Sequence, residues 1–145
     1  MVKLMSNTFH KEEETKRKLV DFISDANILS MNINCIKFEE DFSVFHDRKF
    51  STLVNSGSSA NLVLLQSLLN LGWLEKGDKV AFTALTWATN VMPIMQLGLV
   101  PVPVDIELST LNTNLDLISK TIEKDNIKAF FITNVLGFSS DIESI

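Results

Sequence analysis

The sequence predicts an α/β fold with a largely parallel sheet, and two observations support this prediction. From residue 50 onward, short apolar runs alternate with longer helix-like stretches in the order β-α-β-α-β-α-β, which is typical of parallel strands with helices on both faces. The chain is also 46% hydrophobic and 21% charged over 145 residues, enough for a buried core. Before residue 50 the pattern is helical. We therefore expect an N-terminal helical segment at 1–49 and an α/β domain at 50–145.

The leading segment contains two predicted helices, at 10–26 and 37–47. Apolar residues in the second half of the first stretch recur near i, i+3 and i+4 spacing behind a charged first half. In the second stretch Phe38, Phe42 and Phe45 share one face. The residues between these helices are expected to be irregular.

The α/β part contains four predicted strands and three complete helices. The strands are expected at 50–55, 79–85, 100–106 and 127–137, and the helices at 59–74, 86–98 and 114–124. Gly72 marks the end of the first helix, Thr86 is a candidate cap of the second, and Pro93 predicts a kink or a late start. The prolines of "VPVPVDI" favour an edge strand or interrupted pairing. A further helix is expected to open within 139–145 and to be cut short there, so we expect the chain to be a fragment.

Charge and cysteine content narrow the function classes. The net charge is −5 and no basic patch is found, which argues against nucleic-acid binding. No window reaches the roughly 18 apolar residues that a membrane span needs, and the N-terminus lacks the apolar core of a signal peptide. The single cysteine cannot form an internal disulfide, and the two isolated histidines do not have metal-site spacing. We therefore expect a cytoplasmic protein without a metal.

The turn "NSGSSA" lies between a predicted strand and a predicted helix. Ligands of open α/β sheets bind at the carboxyl ends of strands, and a helix N-terminus offers free N–H groups to an anion. Gly57 would allow a close approach, and Ser58 and Ser59 could add hydroxyl donors. Ordinary helix capping by serine explains the same residues. The turn matches neither the Walker pattern nor the dinucleotide-binding pattern, so phosphate binding and plain capping both remain open.

Two further segments belong to the same predicted edge of the sheet. Trp87, in "TALTWATN", follows a strand and offers an aromatic face on which a flat phosphorylated ring could stack, although a core position is an equal alternative. Trp73 is expected to pack in the interior. Gly137, in "TNVLGFSSD", follows the last strand and could complete the rim.

Three blocks of the sequence resemble those of a known family. The blocks "SGSSANL", "ALTWATNVMPIMQLGLVPVPVDIELSTLN" and "IKAFFITNVLGFSSDIESI" are similar to successive blocks of the DegT-type nucleotide-sugar aminotransferases, fold type I enzymes that use pyridoxal 5′-phosphate (PLP). The similarity runs from about residue 31 to residue 145. It implies the N-terminal portion of a large domain built as a partial three-layer sandwich, with 50–145 as an incomplete cofactor-binding domain.

The resemblance also implies roles for particular residues. Gly57, Ser58 and Ser59 match the family turn that holds the cofactor phosphate, and Trp87 matches the aromatic residue that stacks on the pyridine ring. Asp105 matches a recurring family acid, although a polar strand end explains it equally well. Thr89 and Asn90 follow the aromatic position and are expected near the site. Asn134 occupies a place where the family usually has a histidine.

The implied function is amino transfer to a nucleotide-linked keto-sugar, with an amino acid as donor and a homodimer as the working form. "NSGSSAN" is closer to the dehydrase branch of the family, which removes the sugar 3-hydroxyl, whereas "LTWATN" is closer to the aminotransferase branch. The resemblance places the Schiff-base lysine beyond residue 145, so no catalytic residue is assigned within this chain. A non-catalytic remnant and a generic phosphate-binding α/β domain also fit the sequence.

Overall fold

The computed structural model describes residues 9–143 and 145, which group into two compact units, one ending at Leu53 and the other spanning Val54–Ile145. The prediction of a domain boundary between residues 49 and 50 stays a prediction. Five helices and three strands follow in the order α1 (Glu12–Asp25), α2 (Ile33–Phe45), α3 (Gly57–Asn70), β1 (Lys79–Thr83), α4 (Ala88–Gln96), β2 (Val100–Val104), α5 (Leu115–Lys124) and β3 (Ile127–Phe131).

The first unit contains the two predicted helices. Helix α1 begins with three consecutive glutamates, which place negative charge at the positive end of the helix dipole. Helix α2 begins at Ile33, four residues before the predicted start, so only part of the interhelical segment is irregular.

The predicted strand at 50–55 does not form. The Leu53 N–H donates to Glu39 Oε1 of α2 at 2.7 Å, and the Ser51 hydroxyl donates to the Glu39 backbone carbonyl. A strand in the sheet would need the Leu53 N–H for a neighbouring strand, and here Glu39 of α2 accepts it instead.

The second unit is a three-stranded parallel sheet in the order β2-β1-β3, with helices on both faces. Because side chains alternate along β1, Val80 packs with residues of α3 and α4, whereas Ala81 packs with Ile118 of α5. Ile94 is 0% exposed at the centre of the first cluster. The predicted α/β architecture with parallel strands and helices on both sides is confirmed, and β1 is covered on both faces as expected.

Strand β2 lies at the edge of this sheet, as its prolines predicted. The Val100 N–H donates to the Asp78 carbonyl, and the Val104 carbonyl accepts from the Ala84 N–H. The backbone N–H and C=O groups of the even-numbered residues of β2 therefore point toward β1. Pro101 and Pro103 therefore point their nitrogen atoms away from the neighbouring strand, where no ladder hydrogen bond is lost.

Helices α3 and α4 end in the same way. Gly72 and Gly98 follow the last helical turns with φ of +70° and +75°, a conformation that glycine adopts at low cost. At the end of α3 the Gly72 N–H donates to the Leu69 carbonyl and the Trp73 N–H donates to the Leu68 carbonyl, which is the Schellman pattern. The prediction that Trp73 packs in the interior is wrong: the turn projects it outward and it is 72% exposed.

Other boundaries differ from the predictions in informative ways. Pro93 lies inside α4 rather than at its start. Strand β3 ends at Phe131, and a short 3-10 turn with Leu136 in the left-handed region follows. No helix forms through Glu143, because Asn134 Oδ1 and Asn112 Oδ1 accept hydrogen bonds from Ser140 and hold this segment; Ser144 lies outside the described residues. Within 9–143 and 145, no helix has the length and apolar character needed to cross a membrane.

Candidate functional site

The first turn of α3 combines a satisfied cap with open donors. Ser56 is the N-cap residue, and its Oγ accepts from the Ser59 N–H at 3.2 Å. The N–H groups of Gly57 and Ser58 precede the first intrahelical donor, and no acceptor among the described residues bonds them. Capping and anion binding therefore do not compete here, because one N–H serves the cap and two others remain open toward solvent.

The serine hydroxyls add to this donor set. Ser56 donates its hydroxyl proton to Ser59 Oγ at 3.2 Å, so the Ser59 hydroxyl keeps its own proton for another acceptor. Ser58 is exposed, and Ser59 is half-buried. Two backbone N–H groups and two hydroxyl groups thus lie on one helical turn, a set whose chemistry fits a phosphate.

Gly57 is the first residue of α3 and does not use a positive φ. A Cβ built at this position meets no protein atom within 4 Å. The protein itself therefore does not require glycine at this place, and the space beside the open N–H groups is free for a ligand.

A shallow groove runs from this turn between α3 and α4. Its volume is about 200 Å³, and it is lined by Ser58, Ser59, Leu62, Thr89, Met92, Pro93 and Gln96. The groove brings Thr89 to the two serines, as expected for residues at one edge of the sheet. Trp87 is not among the lining residues.

Trp87 is the N-cap residue of α4 and is 73% exposed. The core alternative for this tryptophan is thereby excluded. The prediction that Thr86 caps α4 is wrong, because the Thr86 hydroxyl instead forms a 2.6 Å hydrogen bond with the Thr133 hydroxyl beyond β3. The tryptophan face is free at the carboxyl end of β1.

A polar network, missed at the level of sequence, connects the segments at this edge. The Asn61 side-chain amide of α3 donates to Asn90 Oδ1 at 2.7 Å and to the Thr89 carbonyl at 3.2 Å. Asn90 Nδ2 donates in turn to the hydroxyl oxygens of Thr86 and Thr133, at 2.8 and 3.1 Å. The resemblance placed Thr89 and Asn90 near the site, but it gave no signal for their contact with Asn61. A proline inside a predicted helix does imply that a carbonyl one turn earlier needs another donor.

The remaining candidates have local structural partners. Asp105 is exposed and accepts from the Ile106 N–H at 2.8 Å, and Asn134 Oδ1 accepts from the Ser140 N–H at 3.0 Å. Gly137 has φ +84° in the turn after β3, and a Cβ there would meet open space. The structure brings none of these three into the groove between α3 and α4.

A larger hollow, of about 490 Å³, lies beside the first turn of α5. Buried Asn112 holds its wall together by donating to the Phe138 carbonyl and accepting from the Ser140 hydroxyl. Thr113 Oγ1 is buried there without a hydrogen-bond partner among the described residues. The carboxylates of this region do not form a metal site: no group of three or more His, Cys, Asp or Glu in the described ranges is arranged to hold an ion.

An ion pair between Lys79 and Asp125 lies at the other end of the strands, where β1 begins. Lys79, the first residue of β1, donates to the Asp125 carboxylate, and this hydrogen bond lowers the pKa of Asp125. The pair connects the start of β1 with the end of α5. It is a structural contact remote from the first turn of α3.

Comparisons with known proteins identify related sequences. The chain is 33% identical over 135 residues to the GDP-4-keto-6-deoxy-D-mannose 3-dehydratase of Yersinia pseudotuberculosis, covering 92% of this chain and 34% of the relative. It is 36% identical over 136 residues to the dTDP-4-dehydro-2,6-dideoxy-D-glucose 3-dehydratase of Saccharopolyspora spinosa, covering 90% and 29%. The chain therefore spans about a third of the length of the curated relatives it matches.

The structural comparison gives the same result. The Escherichia coli GDP-4-keto-6-deoxy-D-mannose-3-dehydratase, solved with bound hydrated PLP, superposes with a TM-score of 0.86 at 28% identity, covering 97% of this chain and 36% of that protein. The fold is accordingly that of the N-terminal part of a fold type I PLP enzyme. The family model for the DegT/DnrJ/EryC1/StrS aminotransferases matches residues 10–145. With this coverage, the chain belongs to the DegT/DnrJ/EryC1/StrS aminotransferase family.

Proposed function

We propose that this chain is the cofactor-binding part of a PLP-dependent enzyme that acts on a nucleotide-linked keto-sugar. The observation that carries the proposal is the first turn of α3, where two N–H groups without acceptors among the described residues lie beside two serine hydroxyls. Family membership and the PLP-bound E. coli relative support PLP as the ligand of this turn.

In this proposal the turn holds the phosphate. Gly57 and Ser58 donate their backbone N–H groups, and Ser58 and Ser59 donate their hydroxyls. The helix dipole of α3 adds a favourable interaction with the anion. The absence of a side chain at Gly57 lets the phosphate approach the backbone.

Trp87 holds the ring. It is the N-cap residue of α4, beyond the carboxyl end of β1, and its exposed face can stack on a pyridine ring. When bound, PLP would supply an electron sink for reactions at the carbon atom that carries the substrate's amino group. This chain's own contribution is to bind and orient the cofactor, and no residue of it is assigned a proton-transfer role.

Two reactions fit the family. The curated relatives described above are 3-dehydratases, and the turn "NSGSSAN" resembles that branch, which favours removal of a sugar hydroxyl. The family description and "LTWATN" favour amino transfer, the function that the resemblance implies, and it is kept here as the other candidate. The amino-acid donor, the homodimer and the cytoplasmic location also remain predictions.

The binding proposal is tested with the purified protein and two ligands, PLP and pyridoxal. We expect Ser58→Ala combined with Ser59→Ala to weaken PLP binding by at least about 100-fold, because two hydrogen bonds to a charged group are lost, and to leave pyridoxal binding unchanged. Trp87→Ala should weaken both ligands about 2- to 10-fold through lost stacking. Trp73→Ala is the matched control, since Trp73 is equally exposed at the other end of α3. Wild-type protein that binds PLP no better than pyridoxal would refute the phosphate cradle.

The reaction is tested separately. The protein is incubated with PLP, an amino acid and a nucleotide-linked 4-keto-6-deoxy sugar, and the product is analysed by mass spectrometry. A sugar that has lost one hydroxyl supports the dehydratase, and an amino sugar supports amino transfer. Neither product, despite tight PLP binding, would limit this chain to cofactor binding.

A further inference from the structure

Pro93 removes one hydrogen bond from the interior of α4. An α-helix pairs each N–H with the carbonyl four residues earlier, and proline has no N–H. The carbonyl that loses its donor is that of Thr89, in the first turn of α4. Thr89 is half-buried, and a carbonyl without a donor is unfavourable in such surroundings, so another group is expected to take this place.

The Asn61 side chain takes that place. Its Nδ2 lies 3.2 Å from the Thr89 carbonyl oxygen and donates to it from α3. The second hydrogen of the same amide goes to Asn90 Oδ1 at 2.7 Å, so both donors of Asn61 are used on the first turn of α4. A hydrogen bond within one helix has been replaced by two hydrogen bonds between two helices.

These bonds connect the two parts of the proposed cofactor site. Asn61 lies two residues after Ser59, which belongs to the turn proposed to hold the phosphate. Asn90 donates its backbone N–H to the Trp87 carbonyl at 2.9 Å, and its side chain bonds Thr86 on the other side of that tryptophan. The contact between Asn61 and Asn90 therefore fixes the phosphate end against the ring end.

We propose that Asn61 is a positioning residue: its amide replaces the helix hydrogen bond that Pro93 removes, and thereby sets the spacing between the first turn of α3 and Trp87. The inference has two halves. The hydrogen-bond half states that Asn61 replaces the missing bond, and the spacing half states that this contact sets the distance on which cofactor binding depends. The spacing half rests on the proposed function. A ligand that reaches both ends, as PLP does, depends on that spacing, whereas a ligand that touches only the first turn of α3 does not.

The hydrogen-bond half is tested by a double-mutant cycle in thermal stability, without ligand. Asn61→Leu removes the amide at similar volume and should lower the Tm by about 4 °C. In a Pro93→Ala background residue 93 regains its N–H and can bond Thr89, so the same substitution should cost only about 2 °C. Gln66→Leu is the matched control, since the Gln66 amide of α3 bonds Asn70 on its own helix. Equal losses in both backgrounds would show that Asn61 does not stand in for the missing bond.

The spacing half is tested by titrating wild type and Asn61→Leu with PLP and with inorganic phosphate. We expect PLP to bind about tenfold more weakly and inorganic phosphate to bind within about twofold of wild type. A substitution that merely loosens the fold would weaken both ligands together, and that result overturns the inference, as does unchanged PLP binding. Wild-type protein that binds no PLP refutes the proposed function and the spacing half with it, while the stability cycle still decides the hydrogen-bond half.

Discussion

Replacing Gly57 by alanine should separate the stability of α3 from its proposed role in phosphate binding. The substitution adds one methyl group at the first helical position. The new Cβ meets no protein atom within 4 Å, and the backbone there does not use the left-handed region that alanine avoids. Alanine is the better helix former, so the free energy of unfolding should rise by about 0.5 kcal/mol, or about 2 °C in Tm.

Cofactor affinity should change in the opposite direction. The methyl group occupies the open space beside the N–H groups of Gly57 and Ser58, where the phosphate is proposed to lie. Losing one hydrogen bond to a charged ligand costs about 1.5–3 kcal/mol, which corresponds to PLP binding about 10- to 100-fold weaker.

The assay combines thermal unfolding without ligand and calorimetric titration with PLP. Gly72→Ala is the matched control at the other end of α3, where φ is +70°. That control should lose about 1 kcal/mol of stability and keep its PLP affinity, the reverse of Gly57→Ala. Gly57→Ala protein that binds PLP as tightly as wild type would refute the reasoning that places the phosphate at this turn.

Three further predictions concern the scaffold. Ser56→Ala should lower the free energy of unfolding by about 1 kcal/mol in urea titrations, because the Ser59 N–H loses its cap; an unchanged midpoint would contradict this. Ile94→Ala should cost about 2–5 kcal/mol in the same assay, since Ile94 is 0% exposed, and a loss below about 1 kcal/mol would show that the core collapses around the cavity. The hydrogen bond from Lys79 lowers the pKa of Asp125. The stabilisation that this ion pair gives the fold is therefore present above about pH 4, the pKa of Asp125 in the unfolded chain, and is lost as the pH falls through the lower pKa of the folded state. The stability advantage of wild type over Asp125→Asn should therefore shrink on acidification below about pH 4, and a difference that is constant with pH would exclude this origin.

Local patterns predicted most elements of the second unit. Alternation of apolar runs with helical stretches located β1, β2, β3 and the three helices between residues 57 and 124, with ends displaced by a few residues. The glycine expected to end α3 does so, because its φ of +70° is strained for other residues. Helix and strand positions and helix ends depend on interactions within a few residues of the chain, so they can be predicted from the sequence before the fold is known.

The remaining features depend on contacts between distant residues. The segment 50–55 has the composition of a strand, yet the Leu53 N–H donates to the carboxylate of Glu39, which lies 14 residues earlier in the chain. The interhelical contact between Asn61 and Asn90 joins residues 29 positions apart. Both residues lie in blocks that resemble the family, but the blocks by themselves do not indicate that these two side chains meet. Trp87 was located by pattern and resemblance, but its exposure could be decided only once the position of α4 was known.

The two prolines of β2 also determine where the sheet can grow. Both missing donors lie on the outer side of an edge strand, so an approaching strand would find carbonyls there without the matching N–H groups. Edge-to-edge association through β2 is therefore disfavoured, both between folded molecules and between partly folded chains at high concentration. The sequence "VPVPV" therefore favours extension of the sheet on the β3 side over extension beyond β2.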